Sequence, residues 1–211
     1  MFADLNRHSV KPSASIGVLY DHRDPLADLT RNVVESFKPL AKVVEREKTT
    51  LAPKSKKLFT LSAVHQCHRA LTAGVEVPDL LGFVIDFWSS LFMGMPDWRS
   101  VAEGHQSSGE VRQEMIHSHG TILHALGRAG NSYFRQNELP DWNLFASTVA
   151  QIDWSRNAMS PWNGRVVFAG SVSKSNQSVA LAAAYIKRCL NLELSNDEIR
   201  FETALTTGGT S

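Results

Sequence analysis

The chain has 211 residues, 43% of them hydrophobic and 20% charged, a balance that fits one folded domain, or one and a fraction, with a real core and does not suggest disorder. Its formal net charge of +1 means that any contact with nucleic acid must come from local basic patches, not from a global field. Two cysteines, Cys67 and Cys189, give no disulfide framework, and no apolar run is long enough to span a bilayer, the best candidate at Leu80–Met95 being interrupted by Gly82 and Asp86.

Met1–Val10 lacks the basic and apolar blocks of a signal peptide, so a cytoplasmic protein without membrane contact is expected. Phe2 and Leu5 are spaced as on one amphipathic turn with no capping residue before them, which suggests an element that starts upstream of Met1. Ser13–Tyr20 is a run of small residues leading into Ile16, Val18 and Leu19. Asp24 and Pro25 are a good N-cap and first helical residue, and Leu26, Leu29, Val33 and Phe37 predict a helix from Pro25 to about Phe37. Val43–Lys48 reads as a short charged strand and Thr49–Lys57 as a polar turn. Thr60 can cap a helix with Leu61, Val64, Cys67 or His68, and Leu71 on its apolar face, ending at Gly74. Pro78 opens a helix through Leu80, Val84, Phe87, Trp88, Leu91 and Phe92, apolar on more than one side and therefore central. Pro96 closes it, with one further turn over Asp97–Glu103.

Glu110–Leu126 is predicted as a third long helix, with Gly127 and Gly130 either breaking it or letting another backbone approach. Pro140 and Asp141 start a helix through Trp142, Phe145, Val149 and Ile152. Asn163-Gly164 turns into the short strand Val166–Ala169, after which Ser175 or Asn176 caps a helix through Val179, Ala183, Ile186 and Leu190. Ser195-Asn196-Asp197-Glu198 has the capping-box pattern for a last short helix, and Thr206–Ser211 should fray. The expected class is mainly α with a few short strands, an α+β arrangement without repeats.

The richest chemistry lies in Ile152–Ser178, which packs Trp154, Arg156, Trp162, Arg165 and Lys174 among small hydroxyl and amide residues. Indoles offer stacking faces and Arg a planar donor fork, a combination that suits a polyanion. The blander reading, favoured on composition, makes Trp154 and Trp162 core aromatics that anchor the loop. Lys54, Lys56 and Lys57 form a basic cluster that is more often a solvated loop than a phosphate contact. His65, Cys67 and His68 are three candidate metal ligands where a closed zinc site needs four. Glu114 and His117 have the spacing of a di-iron helix, but in a single copy, and His117, His119 and His124 read as isolated hydrogen-bonding histidines. Neither a phosphate-cradling Gly-rich loop with Lys nor a nucleophile elbow occurs, so no cofactor or metal is expected and motifs give catalysis little support.

Taken in order, Phe2-Ala3-Asp4-Leu5-Asn6, Val10-Lys11-Pro12-Ser13, Leu19-Tyr20-Asp21-His22-Arg23-Asp24, Glu47-Lys48-Thr49, Ser55–Ser62 and Ile152–Arg165 resemble the DndB family of DNA sulfur modification proteins. The family lies within the wider group of DGQHR-domain proteins, and the resemblance covers essentially the whole chain. It implies a part in bacterial DNA phosphorothioation, in which sulfur replaces a non-bridging phosphate oxygen. The part implied is a regulator that binds promoter DNA of the modification gene cluster, sulfur transfer belonging to other members. It also implies that residues 1–24 are the C-terminal remnant of a ParB-like DGQHR domain, residues 25–205 a helical body and residues 206–211 a disordered tail. The Asp-Gly-Gln-His-Arg motif itself does not occur, so the chain is expected to be the C-terminal part of a longer protein.

Three functions follow as expectations. A DNA-binding transcriptional regulator would contact phosphates through Lys54, Lys56, Lys57, Arg156, Arg165 and Lys174. A ParB-like enzyme that binds or hydrolyses nucleotides would use a polar site at Asn6, Asp21, His22 and Arg23, although Asp24-Pro25 beside it is already explained as a helix start. A protein-interaction module would dock the Leu80–Met95 helix on another protein of the phosphorothioation cluster, and self-association into a homo-oligomer stays open.

Overall fold

The computed structural model describes residues 13–137, 140–157 and 159–208, so Asn6 and the rest of the first twelve residues lie outside the described residues. Among the described residues there are eleven α-helices and four two-residue strands, which makes the fold mainly α with minor β pairing. None of these helices is long and apolar enough to cross a membrane.

Most helix starts are set by a short oxygen-bearing side chain that accepts an otherwise unpaired first-turn N–H. Ser13 caps α1 (Ala14–Tyr20), and Asp24 caps α2 (Pro25–Ser36), with Pro25 as its first residue. After α3 (Lys38–Val43), Thr60 caps α4 (Leu61–Leu71) and Asp79 caps α5 (Leu80–Gly94), which therefore starts after Pro78. Pro96 opens α6 (Pro96–Glu103), two turns where one was expected. Asp141 and Ser175 cap α9 (Trp142–Ala150) and α10 (Asn176–Cys189). The last helix, α11 (Asn196–Gly208), begins with the expected capping box: Glu198 N–H donates to Ser195 Oγ, and Ser195 N–H donates to Glu198 Oε2 at 2.9 Å. It takes in Thr206 and Thr207, which the sequence had assigned to a frayed tail.

The expected long helix over Glu110–Leu126 is two helices, α7 (Ser108–Glu114) and α8 (Gly120–Gln136). Apolar spacing continues across the gap, but the backbone at Met115 leaves the helix to form an antiparallel bridge with Ser155. Ile116 N–H donates to Trp154 O at 2.8 Å, and Arg156 N–H to Glu114 O at 2.9 Å. Long-range pairing thus overrides local periodicity, and the 115–119 turn becomes a floor between two helix ends.

α8 packs between α4 and α10, while α9 covers α5 and α11 rests on α10. Gly127 faces α4 so closely that a Cβ there would lie 2.3 Å from the Cys67 carbonyl oxygen. Gly127 and Gly130 accordingly do not break α8; they let another element approach. The charged strand expected over Val43–Lys48 is reduced to β1 (Val44–Glu45), paired in parallel with β2 (Phe59–Thr60). β3 (Val167–Phe168) and β4 (Ser171–Val172) form a tight hairpin whose two turn residues, Ala169 and Gly170, both have positive φ.

Trp88, Trp98 and Trp162 are fully buried, and Trp154 is 6% exposed. Trp154 and Trp162 stack on each other at 4.9 Å with an interplanar angle of 12°; Trp154 N–H donates to the Val149 carbonyl of α9 and Trp162 N–H to the Asp153 carbonyl. They anchor the loop from inside and offer no face to solvent. On α5, Val84, Phe87, Trp88, Leu91 and Phe92 are buried, leaving Met93 as its exposed large apolar side chain.

Candidate functional site

A cleft of about 760 Å³ opens where the 115–119 turn, the N-terminus of α8, the 49–60 segment and the β3–β4 hairpin meet. Three cations reach it: Arg112 from α7, Arg156 from the bridge segment and Lys174 from the link between β4 and α10. Each is placed by a traceable contact. Arg112 donates to the carbonyls of Ala52 and Pro53 at 2.9 Å, to Ser55 at 3.2 Å and also to Lys57, so it gathers the 52–57 loop onto α7. Gly109 lets that loop come in, since a Cβ there would meet the Pro53 carbonyl oxygen at 2.8 Å. Arg156 donates to the Arg112 carbonyl at 3.3 Å and to the Gly170 carbonyl at 2.8 Å, tying α7 to the hairpin. Thr121 Oγ1 donates to Ser173 O at 2.9 Å, which brings the neighbouring Lys174 to the start of α8.

Among the described residues none of these three cations has a carboxylate partner. Elsewhere the buried glutamates of α11 each pair with two cations. Glu198 meets Lys187 at 2.9 Å and Arg128 at 3.0 Å; Glu202 meets Arg188 at 2.7 Å and also Arg165. Arg112 and Arg156 are therefore held by backbone carbonyl dipoles, and together with Lys174 they leave the cleft a net positive charge.

The floor of the cleft is polar. α8 begins at Gly120 without a side-chain cap; the Ile122 and Leu123 N–H groups bond to the His119 carbonyl, which leaves the Gly120 and Thr121 amides uncapped by any side chain among the described residues. Ser118, 5% exposed, lines the cleft with its Oγ lacking any hydrogen-bond partner among the described residues. His119 Nε2 is likewise buried and unpartnered there. Burial first, then the charges of Arg156, Lys174 and Arg112, push the His119 pKa down to about 4, against a bond to the Arg112 backbone that raises it. His119 is thus neutral near pH 7. His124 is also lowered, by burial and then by Arg128 and Arg69.

The sequence-predicted residues divide. Arg156 and Lys174 meet in the cleft, and Lys54 and Lys56 are exposed on the loop that Arg112 holds. Lys57 Nζ is engaged with the Lys42 carbonyl at 2.7 Å. Arg165 is set apart: it is bound to buried Glu202 and lies over the Tyr185 ring at 5.5 Å. Asp21, His22 and Arg23 are exposed, Asp21 accepting the Arg23 N–H at 3.0 Å, and they form the approach to the α2 cap, not a pocket. His68 is buried between Trp88 and Thr30, and among the described residues no group of three or more His, Cys, Asp or Glu could hold a metal ion.

Sequence reasoning missed Arg112, Ser118 and His119. Arg112 looked like one exposed position of a long helix, and Ser118 and His119 fell within that same helix. A start at Gly120 would have required knowing the pairing with Ser155.

A family model described as DndB, DNA-sulfur modification-associated, matches residues 1–193, which include every residue of the cleft. No curated protein and no solved structure matches.

Proposed function

The chain belongs to the DndB family of DNA-sulfur modification-associated proteins, and on that footing we propose that it is a DNA-binding transcriptional regulator of the phosphorothioation gene cluster. In this reading Lys54, Lys56, Arg156 and Lys174 grip the duplex backbone along the cleft rim, contacts that fix position without reading sequence. The observation that carries it is the contrast in charge pairing. Arg128, Arg165, Lys187 and Arg188 are each held in an ion pair with the buried Glu198 or Glu202, while the rim cations have no carboxylate partner among the described residues. Arg165 is left out of the interface because its charge is already spent on Glu202.

The test is binding of a promoter fragment of the modification cluster, followed by fluorescence anisotropy across a salt series. Four phosphate contacts predict a slope of log K against log salt of about −3 to −4. The double variant Lys54→Glu with Lys56→Glu, and separately Lys174→Glu, should weaken binding on all sequences alike. Retention unchanged by both would show that this rim is not the DNA surface. The enzyme alternative includes Asn6, which lies outside the described residues, while Asp21, His22 and Arg23 are exposed beside the α2 cap; on α5 the exposed large apolar side chain is Met93.

A further inference from the structure

A DNA backbone resting on the rim leaves the floor of the cleft unexplained. Its size falls within the range of small-ligand pockets, roughly 300–1,000 Å³. Two kinds of unmet polar group belong to residues that line it. The first kind donates: the Gly120 and Thr121 amides at the start of α8, a helix of 17 residues, and the hydroxyl of Ser118, backed by Arg156 and Lys174. Such a set fits an oxyanion. The second kind accepts. The His119 ring sits near the Arg112 backbone, whose N–H lies inside α7 and whose carbonyl is the group left to meet a ring N–H; with the proton of the neutral ring on that side, the unpartnered Nε2 presents a lone pair. A lone pair beside an oxyanion is repelled unless the same ligand also brings an O–H or N–H.

That requirement separates ligand chemistries. A DNA phosphodiester offers oxygens and no donor at that point, whereas a phosphate monoester of a sugar carries hydroxyls within a few bonds of its phosphorus. Leu58, Val172 and Val179 give the same cleft an apolar wall, suited to the face of a sugar or base. We infer that the cleft floor is a binding site for a small hydroxyl-bearing phosphate monoester, of sugar-phosphate or ribonucleotide size, with its phosphoryl group at the α8 N-terminus and Ser118 and a hydroxyl on His119 Nε2. The site does not depend on the DNA reading. If both hold, the ligand lies beneath the rim that carries Arg156 and Lys174, and its occupancy bears on how strongly that rim attracts a second polyanion.

Calorimetric titration of the full chain with ribose 5-phosphate, adenosine 5′-monophosphate and sulfate tests this. Sulfate brings the oxyanion without a hydroxyl. The two phosphate esters should bind saturably and about ten-fold tighter than sulfate. Ser118→Ala should weaken all three ligands by about five-fold or more, and His119→Phe only the two esters. His119→Gln, which restores an acceptor, should recover part of the loss and serves if Ser118→Ala fails to fold. Esters that bind no tighter than sulfate, or binding indifferent to both His119 variants, would overturn the inference. Competition separates it from the DNA reading. If a short DNA duplex displaces ribose 5-phosphate one for one, the floor is a DNA phosphate seat and the small-ligand site is wrong. If Lys54→Glu with Lys56→Glu abolishes DNA binding and leaves the esters bound, the two sites are distinct.

Discussion

The indole N–H of Trp98 donates to Nδ1 of His117 at 3.0 Å, and the far nitrogen of that ring lies 3.1 Å from Asp97 Oδ2. An indole can only donate, so Nδ1 must accept and the imidazole proton belongs on Nε2, facing the carboxylate. The same device recurs one layer away with the ring reversed: Trp88 donates to Nε2 of His68 at 2.7 Å, and Nδ1 of His68 meets Thr30 Oγ1 at 3.0 Å. The two tryptophans lie against each other at 6.1 Å. His117 directly precedes Ser118 and His119, so the first relay fixes the turn that forms the cleft floor.

Replacing His117 with Ala should therefore act at two levels. Trp98 would keep a fully buried N–H without an acceptor, which costs about 1–3 kcal/mol and should appear as a lower urea midpoint. The loosened turn should also weaken sugar-phosphate binding at temperatures where the variant is folded. A variant with unchanged midpoint and unchanged binding would mean that the relay positions nothing.

The buried histidines set the pH response. Burial pushes the His68 pKa from 6.5 down to about 3, with the nearby His65 adding to the shift. Between those values the unfolded chain binds a proton that the folded chain does not, so stability is complete above 6.5 and falls with falling pH, by about 1.4 kcal/mol per unit for such a group. His119, at about 4, adds to the loss in the upper part of that window. Asp97 behaves as a carboxylate held below its usual range by its bond to His117, so its contribution is lost only further into acid. Urea unfolding followed from pH 6.5 to about 4 should show a steadily decreasing midpoint; a flat profile would contradict the assignment of His68 as neutral and buried.

Glycine substitutions should separate close packing from mere helix propensity. Gly127→Ala places a methyl 2.3 Å from the Cys67 carbonyl oxygen, a backbone atom that cannot swing aside, and should cost about 1–3 kcal/mol or more. Gly17→Ala in α1 meets nothing within 4 Å and should be neutral or stabilising by up to about 1 kcal/mol. Thermal melts of the two variants that moved together would refute the close α4–α8 contact.

Arg165 and Lys174, alike in the sequence, should part company under mutation. Arg165→Ala leaves Glu202, 2% exposed, with Arg188 alone, and should destabilise by about 2–3 kcal/mol while DNA affinity holds. Lys174→Ala should leave the melting curve within about 0.5 kcal/mol and make the salt dependence of DNA binding shallower by about 0.9. A shared loss of DNA affinity would return Arg165 to the interface.

What could be read in the chain beforehand was its local chemistry. Asp24-Pro25, Thr60, Ser175 and the Ser195–Glu198 box each place a helix start through atoms a few residues apart, and each is found. α1 and α3 escaped because six or seven residues carry too little periodicity, and α3 has a proline near its start. The larger error, one helix in place of α7 and α8, arose because the partner that unwinds Met115 is Ser155, far along the chain. The site was half legible for the same reason. Arg156 and Lys174 stood out in a basic, aromatic segment, but nothing local showed that Arg165 would face Glu202, that the indoles would turn inward, or that Ser118 and His119 would be left without partners.

Four cationic side chains of the body, on α8, α10 and the 162–165 segment, are tied to two carboxylates on one thirteen-residue helix, which offset half their charge. Trimming the chain ahead of Asn196 would strip away both counter-charges at once. The shortened protein would then display four unpaired cations on a face where the intact molecule keeps a surplus of two. Any gain in affinity for nucleic acid after such trimming would report an unmasked charge surplus and not a recognition surface, so interaction mapping by deletion would mislead where single substitutions would not.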